Sequence, residues 1–155
     1  TKKEKRAQVE HVKKDRLYGL LERMYSLVVV FPESAAILLS STNNSVFARS
    51  PWGGLYESLA SVYTNDQSFS LDSLRHELSA KQVSVDIDAL LMKGELDFVH
   101  FNQDQVKQEL EKMMSLVQNE AQKSAKIELL AKIKQAEHSN DHELLTTLLS
   151  QFQKL

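Results

Sequence analysis

An all-α fold is predicted by three features of the 155-residue sequence. It holds four glycines and two prolines, β-branched runs are scarce, and apolar residues recur at helical spacing almost throughout. The elements read in order as a multi-helix bundle, with a long helix leading into a C-terminal helical hairpin.

The first element is "DRLYGLLERMYSLVVV", in which Leu17, Leu20, Leu21, Met24, Leu27 and Val28 share one helical face. Pro32 suits the first turn of a second helix, "PESAAILLS", where Glu33 complements the positive end of the helix dipole. A polar loop, "STNNSVFARS", ends at Pro51 and the Gly53-Gly54 pair, and "LYESLASVY" makes a third helix. "TNDQS" reads as a turn. Two short helices follow, "SLDSLRHELSA" and "VDIDALLMKGEL", with Ser84 as the expected N-cap of the latter and Asp86 and Asp88 in its first turn.

Asn102 and Gln105 form a capping-box pattern, and neither proline nor glycine appears after it. One helix is expected from about 103 to 137, roughly 50 Å long at ~1.5 Å per residue. Its apolar residues make two stripes. Val106, Leu110, Met113 and Val117 fall on one face, and Ile127, Leu130 and Ile133 on nearly the opposite one. Between them, "NEAQKSAK" (119–126) has only alanines as apolar content. A helix that changes face has two partners: the bundle for its first half, and the last helix for its second. That last helix follows a tight "SND" turn at 139–141, with Asn140 and Glu143 as a second capping box. The resulting division is a basic lead-in at 1–14, a bundle at 15–118 and a hairpin at 119–155.

Leu144, Leu145, Leu148, Leu149, Phe152 and Leu155 span roughly 140° of the last helix, broader than one facing helix can cover. Either the hairpin folds back on the bundle or a partner covers it.

Composition narrows the function. Without cysteine, disulfides and thiolate metal sites are excluded. No apolar run approaches the ~20 residues of a membrane span, and no apolar stretch follows the N-terminal charges as in a signal peptide. A reducing, cytoplasmic setting is expected. The net charge of −2 divides unevenly. Residues 1–16 carry seven cations against three acids, hence +4, which leaves −6 for the rest. A basic lead-in is either a solvated linker or a weak nucleic-acid contact.

Catalytic patterns are missing. His76-Glu77 and His142-Glu143 each lack the second histidine of a zincin helix, and His138 and His142 straddle a turn. The carboxylate pairs Asp86/Asp88, Glu95/Asp97 and Glu109/Glu111 are spaced i,i+2, which turns the two side chains apart on a helix. Gly53-Gly54 has no phosphate-loop context, and no serine sits in a nucleophile elbow. Trp52, near Tyr56 and Tyr63, reads as an anchor in the body rather than a base-stacking platform, and Met113 and Met114 as core filler. No catalytic residue, metal site or cofactor is expected.

The arrangement resembles the C-terminal domain of bacterial DnaG-type primases. "LLERMYSLVVVFPESAAIL" is similar to that family's opening of leucine-rich helix, proline and helix, and "GGLYESLASVY" with "LDSLRHEL" to its middle. The best match is "KIELLAKIKQAEHSNDHELLTTLLSQFQKL", a lysine-rich helix, "AE", a short turn and a leucine-rich tail. The resemblance covers residues 15–155, apart from the loop at 41–50 and the stretch 64–70. It implies a non-catalytic domain whose hairpin docks on the N-terminal domains of the hexameric replicative helicase, bringing primase to the fork and modulating the helicase. Primer synthesis in that family belongs to a zinc ribbon and a polymerase core, neither of which this chain contains.

Under that resemblance the partner-binding residues are Leu145, Leu148, Leu149, Phe152 and Leu155, rimmed by His142, Gln151, Gln153 and Lys154. Two alternatives are the similarly helical N-terminal domain of the helicase itself, and a small nucleic-acid-binding regulator that uses residues 1–16. A free hairpin also permits exchange between two copies.

Overall fold

The computed structural model describes residues 14–41, 45–66 and 70–155. Among them it is all-α: α1 (Arg16–Val30), a 3-10 turn (Pro32–Ser34), α2 (Ala35–Leu39), α3 (Gly53–Asp66), α4 (Leu71–Ala80), α5 (Ile87–Phe98), α6 (Gln103–His138) and α7 (His142–Gln153). No strand occurs among the described residues. Most of the basic lead-in, part of the polar loop and the end of the "TNDQS" segment lie outside them.

The bundle is built around α1. Asp15 caps it, its carboxylate accepting from the Tyr18 N–H at 2.9 Å, and the expected stripe faces inward, with Leu17, Leu21, Met24, Leu27 and Val28 buried and Leu20 half-buried. α5 and α6 pack against it. Gly94 permits the close approach of α5: a Cβ there would lie 2.5 Å from the Ser26 carbonyl oxygen and 2.5 Å from Val30 Cγ2. Arg23 ties three helices together, stacking over the Phe98 ring at 4.6 Å and pairing with Asp97 at 3.3 Å and Glu109 at 3.5 Å. Trp52 is buried between Tyr18 and Tyr25, stacked on the latter at 5.3 Å, which makes it an anchor of the core.

Several local expectations need correction. The segment beginning at Pro32 opens as a 3-10 turn before becoming α-helical. The Gly53-Gly54 pair lies inside the first turn of α3, where Gly53 passes close to the Ala48 carbonyl, and α3 runs on to Asp66 through part of the predicted turn. The cap of α5 is Asp86, not Ser84: its carboxylate accepts from the Ala89 N–H at 3.1 Å. A charged acceptor at the positive end of a helix outcompetes a hydroxyl two residues upstream.

The long helix is as expected. It runs unbroken for 36 residues from the Asn102/Gln105 capping box, with both reciprocal hydrogen bonds formed. Val106, Leu110, Met113 and Val117 are buried in the bundle core.

Candidate functional site

The second half of α6 and all of α7 form a separate antiparallel hairpin. Its core is small: Leu129, Ile133, Ala136 and Leu148 are buried together, and Leu145 and Phe152 pack partly against them. Among the described residues, the bundle core includes none of α7, so the last helix packs on the second half of α6 rather than on that core. At the junction, Glu120 pairs with Arg16 at 3.7 Å and the Gln122 side chain donates to the Leu155 carbonyl at 3.1 Å. The helix passes through 119–126 without a break.

The turn between the helices sets which faces meet. Asn140 sits in the left-handed region at φ 54°, the Asp141 N–H donates to the Ala136 carbonyl at 3.2 Å, and the Asn140 N–H donates to the Glu137 carbonyl at 3.3 Å. This is a Schellman ending with asparagine in the position usually held by glycine. Asp141 is therefore both the residue that closes α6 and the N-cap of α7, accepting from the Leu144 N–H at 3.1 Å. The expected Asn140/Glu143 capping box is overturned, because a left-handed residue cannot also take the extended backbone of an N-cap.

So tight a reversal brings α7 over the α6 face that ends at Ala136, the smallest residue of the seam. The sequence-derived stripe of Ile127, Leu130 and Ile133 is corrected accordingly. Only Ile133 is in the seam, joined by Leu129 and Ala136, while Ile127 and Leu130 are exposed. At ~100° per residue the true stripe still lies about 140° around α6 from the bundle stripe. The change of face holds, with different residues.

The residues expected to meet a partner separate into three groups. Leu148 is buried in the seam, with Leu145 and Phe152 half-buried on its margin. Leu149 and Leu155, with Leu144, are between 42% and 46% exposed, on both flanks of that seam. His142, Gln151, Gln153 and Lys154 are exposed around them. The hairpin thus carries an uncovered apolar margin on each side of a narrow closed centre.

Elsewhere the geometry offers little chemistry. Among the described residues, no three histidine or carboxylate side chains converge as a metal site, and no helix is long and apolar enough to cross a membrane. A cleft of about 420 Å³ lies between α1 and α5, lined in part by Tyr18, Trp52, Glu22, Lys93 and Asp86. Its charges are engaged: Glu22 pairs with Lys93, and Asp86 caps α5. Burial pushes the Tyr25 hydroxyl far above its ordinary range, and it donates to the Phe47 carbonyl as a structural bond.

No protein-family model, curated protein or solved structure matches this chain.

Two apolar groups are exposed against expectation or without having been singled out: Ile127 and Leu130 on α6, which the sequence assigned to the seam, and Met92 and Leu96 on α5 with Val99 at its C-cap. The signal was present in α5, whose apolar residues run around most of the helix and exceed what one buried face can use.

Proposed function

We propose that this chain is a non-catalytic docking module, the C-terminal helicase-binding domain of a bacterial DnaG-type primase. Its hairpin holds the N-terminal domains of the hexameric replicative helicase, recruits primase to the replication fork and modulates the helicase. The setting is the bacterial cytoplasm, no cofactor takes part, and the chemistry of priming belongs to the parent protein's other modules.

One observation carries the reading. The hairpin is closed only along a seam centred on Leu148, which leaves Leu144, Leu149 and Leu155 uncovered on both flanks. An apolar centre rimmed by His142, Gln151, Gln153 and Lys154 has the anatomy of a protein interface. The likeness of residues 15–155 to the primase domain supplies the partner.

Titration calorimetry against the N-terminal domain of the replicative helicase from the same organism tests it. A Leu149→Asp/Leu155→Asp variant changes only exposed positions, and circular dichroism confirms its helicity first. The wild type should bind at moderate salt, and the folded variant should lose ~30-fold or more in affinity, as expected when central apolar contacts are replaced by charge. Absence of wild-type binding, with salt-sensitive binding to DNA instead, refutes the reading and transfers the function to residues 1–16.

A further inference from the structure

Two exposed apolar faces remain outside the docking margins, and they are opposite in charge. On α5 and its C-cap, Met92, Leu96 and Val99 are 59% to 78% exposed and recur at i, i+4 and i+7, so they form one ridge. Asp88 and Glu95 border it, and α5 carries three acids, Asp88, Glu95 and Asp97, against the single cation Lys93. On α6, Ile127 is 69% and Leu130 45% exposed. Lys123, Lys126 and Lys134 fall with them inside an arc of about 100°, directed about 100° away from both the hairpin seam and the bundle stripe. Among the described residues none of these three lysines takes part in an ion pair, nor does Glu95, whereas Asp88 is held by Arg75 and Asp97 by Arg23.

These faces cannot meet within one chain. Val99 is four residues from the start of α6, a reach of at most ~14 Å, whereas Ile127 lies 24 residues along that helix, ~36 Å from its start. Met92, at the far end of the ridge, adds ~10 Å to that reach, so a gap of roughly 10 Å or more is still fixed by a continuous helix. Their lengths nevertheless correspond. Residues 92–99 and 127–134 each cover ~10 Å of helix.

We propose that the two faces are the halves of one contact between copies of this chain. The α5 ridge of one copy lies across Ile127 and Leu130 of the other, with Glu95 facing Lys123 and Lys126. Five apolar side chains make a small interface, in the range of transient association, and its charged border makes it sensitive to salt. The contact is independent of the helicase reading, since it leaves the margins of α7 free.

Sedimentation equilibrium of the full chain tests it. At low salt the wild-type mass should climb above the 17.7 kDa monomer between micromolar and millimolar concentration, and fall back at high salt. Glu95→Lys should weaken association ~10-fold or more, and so should Lys123→Glu/Lys126→Glu. An equimolar mixture of the two should recover it, because each reversed face then meets its complement on the other copy. Leu96→Gln should weaken association while preserving its salt dependence. All four positions are exposed, and circular dichroism verifies the fold of each variant. A wild type that stays monomeric overturns the proposal. So does a self-association indifferent to the reversals, which places the contact elsewhere, as in hairpin exchange. A mixture that recovers nothing overturns it as well.

Discussion

Replacing Leu148 by alanine should open the hairpin while leaving the bundle intact. Leu148 is the one buried side chain that α7 contributes to a core of four, facing Leu129, Ile133 and Ala136. Buried Leu→Ala changes cost about 2–5 kcal/mol, with the value set by how far the surroundings collapse into the space. Here the margins are open and Leu145 and Phe152 can shift inward, so the lower part of the range applies, about 2–3 kcal/mol. That is a ~30- to 150-fold change in the local opening equilibrium. The bundle core contains no residue of α7 and should not register it. Native-state hydrogen exchange separates the two units. Amides around Ile133 and Leu148 should exchange faster by the stated factor, while those of α1 and of α6 near Met113 keep their wild-type rates. Equal acceleration in α1 and in the hairpin would mean one cooperative unit, and the reasoning from two separate cores would be wrong.

Gly94→Ala should destabilise the bundle by about 1–3 kcal/mol despite alanine's helix-propensity advantage of about 1 kcal/mol. The new methyl meets the Ser26 carbonyl, which is backbone and cannot rotate aside. A thermal midpoint equal to or above wild type would contradict this. The acid limb of stability should depend partly on Asp88, whose carboxyl is held below its ordinary range chiefly by the hydrogen bond from Arg75. A carboxyl depressed in the folded state contributes stability above its unfolded pKa of about 4 and loses it as pH falls through the folded value. Asp88→Asn should therefore be slightly less stable than wild type at neutral pH, with the gap closing in acid. Urea denaturation at both pH values measures it, and a gap that widens in acid refutes the assignment.

What could be read in the sequence followed from how local each feature is. The stripe of Val106, Leu110, Met113 and Val117 and the Asn102/Gln105 box depend on spacing within one helix, and both stand as expected. The caps Ser84 and Asn140 failed because the choice among adjacent polar residues rests on backbone geometry: an acid at Asp86 and a left-handed residue at Asn140 decided them. The hairpin seam failed for a longer-range reason. Ile127 and Leu130 outweigh Ala136 in hydrophobicity, yet a three-residue reversal selects the face where a small side chain admits the returning helix. The exposed flanks of α7 were legible as a surplus of leucines, but their division into seam and margin depended on that same turn.

The unbroken helix α6 has a mechanical consequence. It begins in the bundle and ends in the hairpin, 36 residues or ~54 Å later, with no loop between the two cores. A flexible connection of equal residue count would let the bundle wander around whatever grips the hairpin. A helix instead transmits bearing as well as position. Tilting the hairpin by about 10° sweeps the far end of a ~54 Å arm through about 9 Å. Small rotations at the gripped end thus become displacements of a side chain's length or more at the other, and the bundle acts as the pointer of a lever.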